Sequence, residues 1–262
     1  MNYSFILLLA RQRSGTSALG SIMNKHPDVV YPGEPFHIGH KNKTTSFFHY
    51  KEKRVKEDST FLFPDHDQEL FEGFVKTLNK QFGGKTFLDV KYNQTHYVNG
   101  VSYIPTQTPW LVRYAFQNQC PIIHLTRKNQ LKVFVSELRA KKTGIWHAKT
   151  HIELEDDLVE VNTSHLLTHI RSSEDVMHMF SSWMNGRAQT FTIDYSEVFS
   201  PDGFLSDMAV QGIGGVTGLE NLSSLKSDFV KTASDDLSNA ISNYQEVVDT
   251  LSETPYAWML ED

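Results

Sequence analysis

The sequence has only one cysteine, Cys120, so no disulfide bond can form within the chain. Such low cysteine use fits a reducing compartment. Long apolar runs are also missing: the run at residues 5–9 is too short for the core of a signal peptide, and arginines follow it directly. No stretch approaches the roughly 20 apolar residues of a membrane span. These absences predict a cytoplasmic protein that does not cross a membrane.

An excess of basic residues is absent as well. The 25 lysines and arginines are outnumbered by 31 aspartates and glutamates, and the net charge is −6. A chain of this charge has no bulk attraction for nucleic acid or for an anionic membrane, so we expect neither as a partner. Any anion-binding site must then be a local patch of positive charge on an acidic protein. The 262 residues, 39% of them hydrophobic and 21% charged, suit a soluble globular protein, which we expect to form one domain over residues 1–262.

Apolar segments alternate with amphipathic segments along the chain. Buried strands are predicted at residues 3–10, 29–31, 86–92, 121–126 and 190–194. Helices are predicted at residues 16–25, 67–82, 109–118, 129–142, 173–187 and 227–253. Strands that alternate with helices predict an α/β fold, in which helices flank a central parallel sheet.

Two segments lack such a period and are predicted as loops. Residues 38–65 mix lysines with aromatic side chains. They form either a solvated loop with helical patches or a flap over an anionic or sugar-like substrate, because long loops are often functional. Residues 211–218 contain four glycines. Since no strand precedes them, they are predicted as a connecting loop and not as a second phosphate-binding loop.

Residues 11–17 lie between the first predicted strand and the first predicted helix, which is the layout of a phosphate-binding loop. The segment has one glycine, Gly15, and no Gly-Lys pair, which argues against binding of a β,γ-phosphate with Mg²⁺. A helix N-terminus attracts anions, and the Arg13 guanidinium adds a forked cation. Three hydroxyl groups are further donors: Ser14, Thr16 and Ser17. The segment therefore predicts a site for a smaller anion.

Charged residues stand at the ends of two other predicted strands. Arg127 ends a buried strand and should face the ligand crevice of a parallel sheet. Ser136 lies about two turns into the next helix, so a phosphate group could bridge the two. Glu34 follows the second strand in a turn, residues 32–35, that two prolines and a glycine make stiff.

Several segments, taken in chain order, carry a family resemblance: residues 13–19, 26–29, 33–34, 122–127 with 135–136, 143–147, 193–197, and 243–247 with 254–256. Their order and spacing resemble those of the sulfotransferases that use 3′-phosphoadenosine 5′-phosphosulfate. The first segments are similar to the amino-terminal block of the tyrosylprotein and bacterial carbohydrate branches. The resemblance implies the nucleotide-kinase-like fold of that family, with its phosphate-binding loop.

The resemblance also implies a role for each matching residue. The 5′-phosphosulfate would be held by Arg13, Ser14, Gly15, Thr16 and Ser17. Arg127 and Ser136 would hold the 3′-phosphate, and Tyr195 would lie beside the adenine. Glu34 would be the catalytic base, and Lys91 would lie near the bridging oxygen. Lys231 is a weaker candidate for another phosphate contact.

The implied reaction moves a sulfuryl group from 3′-phosphoadenosine 5′-phosphosulfate to a hydroxyl of a carbohydrate or small alcohol. The product is 3′-phosphoadenosine 5′-phosphate, and no metal is required.

His147 and His151 have helical spacing, but no carboxylate stands between them as in zinc proteases, so no metal site is expected. The chain departs from the family in one spacing. Ser136 follows Arg127 by nine positions, one more than is common in the family, whereas it follows Lys128 by the usual eight, so Arg127 and Lys128 compete for the 3′-phosphate role.

Three alternatives stay open. The fold could serve a kinase-like phosphotransferase that binds a nucleoside triphosphate with Mg²⁺, or a non-catalytic nucleotide-binding protein. His37 or His40 could replace Glu34 as the base. The acceptor and the oligomeric state are not determined by the sequence.

Overall fold

A computed structural model describes residues 3–99, 106–146, 158–228 and 236–261. By its internal contacts the chain divides into two compact units. The first comprises Met1–Thr126 and Phe180–Ser227, and the second comprises Arg127–Met179 and Asp228–Asp262.

The first unit contains an open sheet of five parallel strands, in the order β2-β3-β1-β4-β5. The strands are β1 (Phe5–Ala10), β2 (Val29–Val30), β3 (Lys85–Lys91), β4 (Ile122–Thr126) and β5 (Thr190–Asp194). All of β1 is buried, because this central strand is covered on both faces. Helices flank the sheet, so the chain has the α/β fold that the sequence predicts.

The helices of the described residues are α1 (Thr16–Met23), α2 (Phe47–Glu57), α3 (Asp67–Phe82), α4 (Trp110–Gln117), α5 (Gln130–Thr143), α6 (Thr163–Met184), α7 (Tyr195–Val198), α8 (Asp207–Thr217) and α9 (Tyr244–Leu251). Short 3₁₀-helices lie at Ile38–His40, Ser59–Leu62, Pro64–His66, Tyr92–Gln94, Leu222–Ser224, Leu237–Asn239 and Ala257–Leu260. The predicted helices at 16–25, 67–82, 109–118 and 129–142 are confirmed to within two residues at each end. The helix predicted at 173–187 begins ten residues earlier, at Thr163.

The segment 38–65 is largely helical, with α2 and three of the 3₁₀-helices. The Ser46 hydroxyl caps α2 by accepting a hydrogen bond from the backbone N–H of Phe48 at 3.2 Å. Phe47 is fully buried, and its ring centroid lies 5.2 Å from that of Phe36 and 5.5 Å from that of Phe74. These aromatic contacts attach the segment to the core of the first unit.

The prediction of a loop at residues 211–218 is wrong, because residues up to Thr217 belong to α8. A Cβ atom at Gly212 would lie 2.1 Å from a ring carbon of Phe191, a residue of β5. The glycine therefore allows α8 to pack closely on the sheet. Gly218, with a φ of 69°, then ends the helix in the left-handed conformation.

The prediction of one long helix at residues 227–253 is also wrong within the residues that the structure describes. Residues 237–239 form a 3₁₀-helix, Ile241 forms a parallel bridge with Val159, and α9 begins only at Tyr244. The bridge takes up backbone groups that a helix would use: the Val159 N–H donates to Ala240 O, and the Ser242 N–H donates to Val159 O, both at 2.9 Å.

The second unit has an apolar core of its own. It is built on the predicted stripe of α5, with Leu131 and Val135 buried and Phe134 and Leu138 packed beside them. The other buried members are Val159, Val161, Leu166, Ile170, Leu237, Ala240, Ile241, Val247, Leu251 and Met259.

Candidate active site

The loop between β1 and α1 has an unusual backbone. Gly15 has a φ of 84°, and Arg13 has a φ of 64° although it is not a glycine. The left-handed conformation costs a non-glycine residue about 1–2 kcal/mol, and such strain is often found at functional sites. The carbonyl of Gly15 accepts hydrogen bonds from Ala18 N at 3.1 Å and from Leu19 N at 3.2 Å, so α1 begins at Thr16. The earlier N–H groups lie at the positive end of the helix, as an anion site requires.

Tyr195 packs directly on this loop. A Cβ atom at Gly15 would lie 2.2 Å from two carbons of the Tyr195 ring, so only glycine fits there. Tyr195 is the first residue of α7 and follows β5. The capping side chain of Asp194 accepts a hydrogen bond from Ser196 N at 3.2 Å and fixes this start. The structure thus brings together the loop and the aromatic residue that the resemblance places beside the adenine.

Lys91 joins three parts of the site through one ammonium group. It ends β3 and is paired in register with Ala10, the last residue of β1, so it stands next to the loop. Its Nζ donates to Thr16 Oγ1 at 2.8 Å and to Asp89 Oδ1 at 2.5 Å, and it lies 3.1 Å from Glu34 Oε1. Each of the three donors of the ammonium therefore has a partner. The side chain is only 2% exposed.

Glu34 is held at the edge of the site, with 17% of its side chain exposed. The turn before it depends on Gly33, which has a φ of 83°. Burial acts to raise the pKa of Glu34, but the Lys91 ammonium and hydrogen bonds from Lys91 and Gln94 lower it below its ordinary value. Glu34 is consequently an ionised carboxylate at neutral pH, paired with a buried cation.

Gln94 is a site residue that the sequence analysis missed. Its Oε1 accepts a hydrogen bond from the backbone N–H of Lys91 at 3.0 Å, and its side chain also bonds Glu34. Gln94 ends the 3₁₀-helix that follows β3, where its side chain reaches back to the helix start. That capping arrangement, three residues after a strand end, is the signal that points to it.

Asp89 and Tyr31 were missed as well. Asp89 is fully buried in β3, and the Tyr31 hydroxyl donates to its Oδ2 at 3.0 Å. Burial raises the pKa of Asp89, the negative charge of Glu34 adds to this, and the Lys91 ammonium opposes it. The available signal was a carboxylate between two apolar residues, Leu88 and Val90, of a predicted buried strand, because buried carboxylates require partners.

The residues proposed for the 3′-phosphate belong to the second unit. Arg127 follows β4 directly and is half-buried, whereas Lys128 is exposed. Ser136 is half-buried on α5, which Asn129 caps by accepting a hydrogen bond from Lys132 N at 2.9 Å. Their role stays a prediction. Lys231, His147 and His151 lie outside the described residues.

His37 and His40 lie next to Glu34. The backbone N–H of His37 donates to the Glu34 carbonyl at 3.2 Å, and the ring centroids of the two histidines are 4.7 Å apart. Burial lowers the pKa of His40, and Lys43 and His37 lower it further. Either histidine is near enough to keep the alternative base open.

Among the residues that the structure describes, there is no group of three or more His, Cys, Asp or Glu side chains placed to hold a metal ion. None of the described helices has the length and apolar character of a membrane-spanning helix.

Comparison with known proteins adds an independent result. The family model described as Stf0 sulphotransferase matches residues 4–200. That span contains the loop at residues 11–17 and the side chains of Glu34, Lys91, Arg127 and Tyr195. No curated protein matches the chain.

Proposed function

Because the chain belongs to the Stf0 sulphotransferase family, we propose that it transfers a sulfuryl group from 3′-phosphoadenosine 5′-phosphosulfate to a hydroxyl of a carbohydrate or small alcohol. One structural observation supports this proposal in addition to family membership. The Lys91 ammonium contacts both the carboxylate of Glu34 and the hydroxyl of Thr16 at the loop. A base, a cation and an anion site are thereby held in one cluster.

The residues of the loop fit the phosphosulfate end of the donor. The start of α1 offers N–H groups and a positive partial charge, and Arg13 offers a guanidinium. Because Gly15 has no side chain, the Tyr195 ring can lie directly against the loop, which suits an aromatic partner for the adenine. In this proposal Arg127 and Ser136 hold the 3′-phosphate. The donor supplies an activated sulfuryl group on a phosphate that becomes the leaving group.

The chain's own groups then position the acceptor and stabilise charge. Glu34, ionised at neutral pH, accepts the proton of the acceptor hydroxyl. Lys91 and Arg13 offset the negative charge that grows on the transferring group and on the leaving phosphate. Catalysis of this kind depends on positioning and on electrostatic stabilisation, as in phosphoryl transfer. The product nucleotide is 3′-phosphoadenosine 5′-phosphate.

A ligand panel tests the donor. We expect 3′-phosphoadenosine 5′-phosphate to raise the melting temperature, because a ligand that binds only the native state stabilises it. Arg13→Ala should remove this shift. Arg54→Ala should leave it unchanged, since Arg54 pairs with Glu57 on the exposed side of α2. A shift with ATP and Mg²⁺ alone would favour a phosphotransferase instead.

A second experiment tests the transfer itself. Wild-type protein is incubated with 3′-phosphoadenosine 5′-phosphosulfate and a panel of carbohydrates and small alcohols. Mass spectrometry then looks for acceptors that have gained one sulfuryl group. Nucleotide binding without any such product would favour a non-catalytic nucleotide-binding protein.

A further inference from the structure

Asp89 is a carboxylate that the proposed reaction does not itself use, yet it lies fully buried behind Lys91. We propose that Asp89 is a positioning residue, which holds the Lys91 ammonium at the loop and leaves Glu34 able to accept the acceptor's proton. The inference rests on the proposed function. Burying a carboxylate is costly, so the presence of Asp89 between Leu88 and Val90 in a buried strand requires an explanation.

The two carboxylates contact Lys91 in different ways. Asp89 Oδ1 lies 2.5 Å from Nζ and is closed off from solvent, whereas Glu34 Oε1 lies 3.1 Å from Nζ and its side chain is 17% exposed. The contact with Asp89 is therefore the fixed one. The contact with Glu34 can be exchanged for an acceptor hydroxyl without leaving the lysine unpaired.

Tyr31 fixes Asp89 in turn. Its hydroxyl donates to Asp89 Oδ2 at 3.0 Å, and it also shares a hydrogen bond with the side chain of Ser17 on α1. Its ring packs on α1 as well, since a Cβ atom at Gly20 would lie 2.3 Å from two of the ring carbons. Lys91 contacts the same helix, because its Nζ donates a hydrogen bond to Thr16 Oγ1. The resulting ring of contacts fixes the lysine relative to the helix that starts the anion site.

The charges of the cluster explain why Asp89 matters for Glu34. Lys91, His37 and Gln94 act on the carboxylate of Glu34, and His40 is hydrogen-bonded to its backbone. The negative charge of Glu34 in turn acts on Asp89. Asp89 itself faces Lys91, Glu34 and Tyr31. Without the charge of Asp89, Lys91 would pair with Glu34 alone, and Glu34 would become a weaker base. The ammonium would also be drawn from the loop toward Glu34.

The test is Asp89→Asn, assayed with an acceptor identified for the wild type. We expect kcat to fall about 10–100-fold, because the base is weakened and the cation displaced. Affinity for 3′-phosphoadenosine 5′-phosphate, measured by calorimetry, should change by no more than about threefold, since the loss of one negative charge favours the anion while the displaced ammonium disfavours it. The acid limb of the kcat profile should move to lower pH. A merely structural defect would weaken binding and leave that limb in place.

Asp67→Asn is the matched control. Asp67 is also buried and paired with a lysine, Lys51, at 3.6 Å, but it contacts none of the groups around Lys91. We expect its kcat and pH profile to match the wild type. Tyr31→Phe is the second variant, in case Asp89→Asn does not fold. It should lower kcat about 3–10-fold with the same direction of pH shift, because Asp89 loses a hydrogen bond that lowers its pKa and is then more readily protonated.

One outcome would contradict the positioning role of Asp89, and another would contradict the proposed function itself. If the wild type transfers a sulfuryl group and both Asp89→Asn and Tyr31→Phe keep its kcat and pH profile, Asp89 has no positioning role. If the wild type transfers no sulfuryl group to any acceptor, the proposed function fails, and this inference fails with it.

Discussion

At the scale of single residues, Glu34 is the one on which the proposed proton transfer depends. Glu34→Gln keeps the shape of the side chain and removes the proton acceptor. We expect turnover to fall about 10²–10⁴-fold while affinity for 3′-phosphoadenosine 5′-phosphate is kept. Stability should change little, because Asp89 still pairs with Lys91. Turnover and affinity are measured on the same preparation, with Glu57→Gln on the surface as the control.

Other results for this variant have distinct meanings. Near-normal turnover would exclude Glu34 as the base and point to His37 or His40, which lie beside it. Loss of nucleotide binding together with turnover would make Glu34 a structural partner of the site.

Arg127 and Lys128 are two residues that compete for one role, and their exposure separates them. Arg127 is half-buried directly after β4, whereas Lys128 is exposed. We expect Arg127→Ala to weaken binding of 3′-phosphoadenosine 5′-phosphate by roughly 1.5–3 kcal/mol, since a charge-assisted contact is lost. Lys128→Ala should change binding less. Titration calorimetry compares the two, and a larger loss in Lys128→Ala would show that the eight-residue spacing to Ser136 is the operative one.

At the scale of elements, α8 shows how a glycine can serve packing instead of a turn. A Cβ atom at Gly212 would clash with the Phe191 ring, whereas a Cβ atom at Gly215 would have nothing within 4 Å. We expect Gly212→Ala to destabilise the protein by about 1–3 kcal/mol through overpacking. Gly215→Ala, in the same helix, should stabilise it by about 0.5–1 kcal/mol, because alanine favours the helix. Urea unfolding measures both, and equal effects would contradict this account of α8.

The elements also show which features can be predicted from sequence. The segment from β1 through the loop to α1 is encoded locally, by an apolar run, a glycine and an amphipathic stretch, and it is found where the sequence predicts it. Gly212 is mistaken for a loop residue because the reason for a glycine there is the close approach of Phe191, about twenty positions away. The error at residues 227–253 has a similar cause. Ile241 forms a bridge with Val159, a distant residue, and the helical pattern of the sequence gives no sign of that pairing.

The residues of the candidate site also fall into two groups, those in local motifs and those identified only by contacts between distant segments. Arg13, Glu34 and Lys91 stand at the ends of elements in recognisable motifs, so the sequence alone suffices to propose them as site residues. Asp89, Gln94 and Tyr31 are found only through the structure. Asp89 is placed near the loop because the register of β3 against β1 sets Lys91 beside Ala10, and Tyr31 is placed there because its ring packs against α1 at Gly20. A single sequence does not reveal contacts of this kind between distant segments.

At the scale of the whole molecule, the stability of the fold depends on pH through a histidine in the sheet. His124 lies in β4 and is fully buried. Its Nε2 is 2.7 Å from the Tyr92 hydroxyl, and its Nδ1 is 3.3 Å from Thr192 Oγ1. Burial lowers the pKa of His124 from 6.5 to about 4. The folded protein therefore keeps this ring neutral at pH values where the unfolded chain protonates it.

The sign of the effect follows from linkage. Between pH 6.5 and about 4 the unfolded chain binds more protons at His124 than the folded chain does, so the free energy of unfolding falls as the pH is lowered through this window. The full contribution is about 3 kcal/mol, present above the unfolded pKa and lost near pH 4. The lowered pKa of Glu34 acts in the same direction at more acid pH, and the raised pKa of Asp89 acts against it.

His124→Gln isolates this contribution, because glutamine keeps hydrogen-bonding groups and does not titrate. We expect the variant to be less stable than the wild type at pH 7 but to lose less of its remaining stability on acidification to pH 4.5. Urea unfolding at several pH values measures both curves. Glu34→Gln serves as the control, since its stability curve should run parallel to that of the wild type between pH 7 and pH 4.5 and should differ in slope only below the ordinary glutamate pKa of 4.5. Parallel curves for wild type and His124→Gln between pH 7 and pH 4.5 would show that His124 titrates normally in the fold, and that the sheet does not hold it neutral.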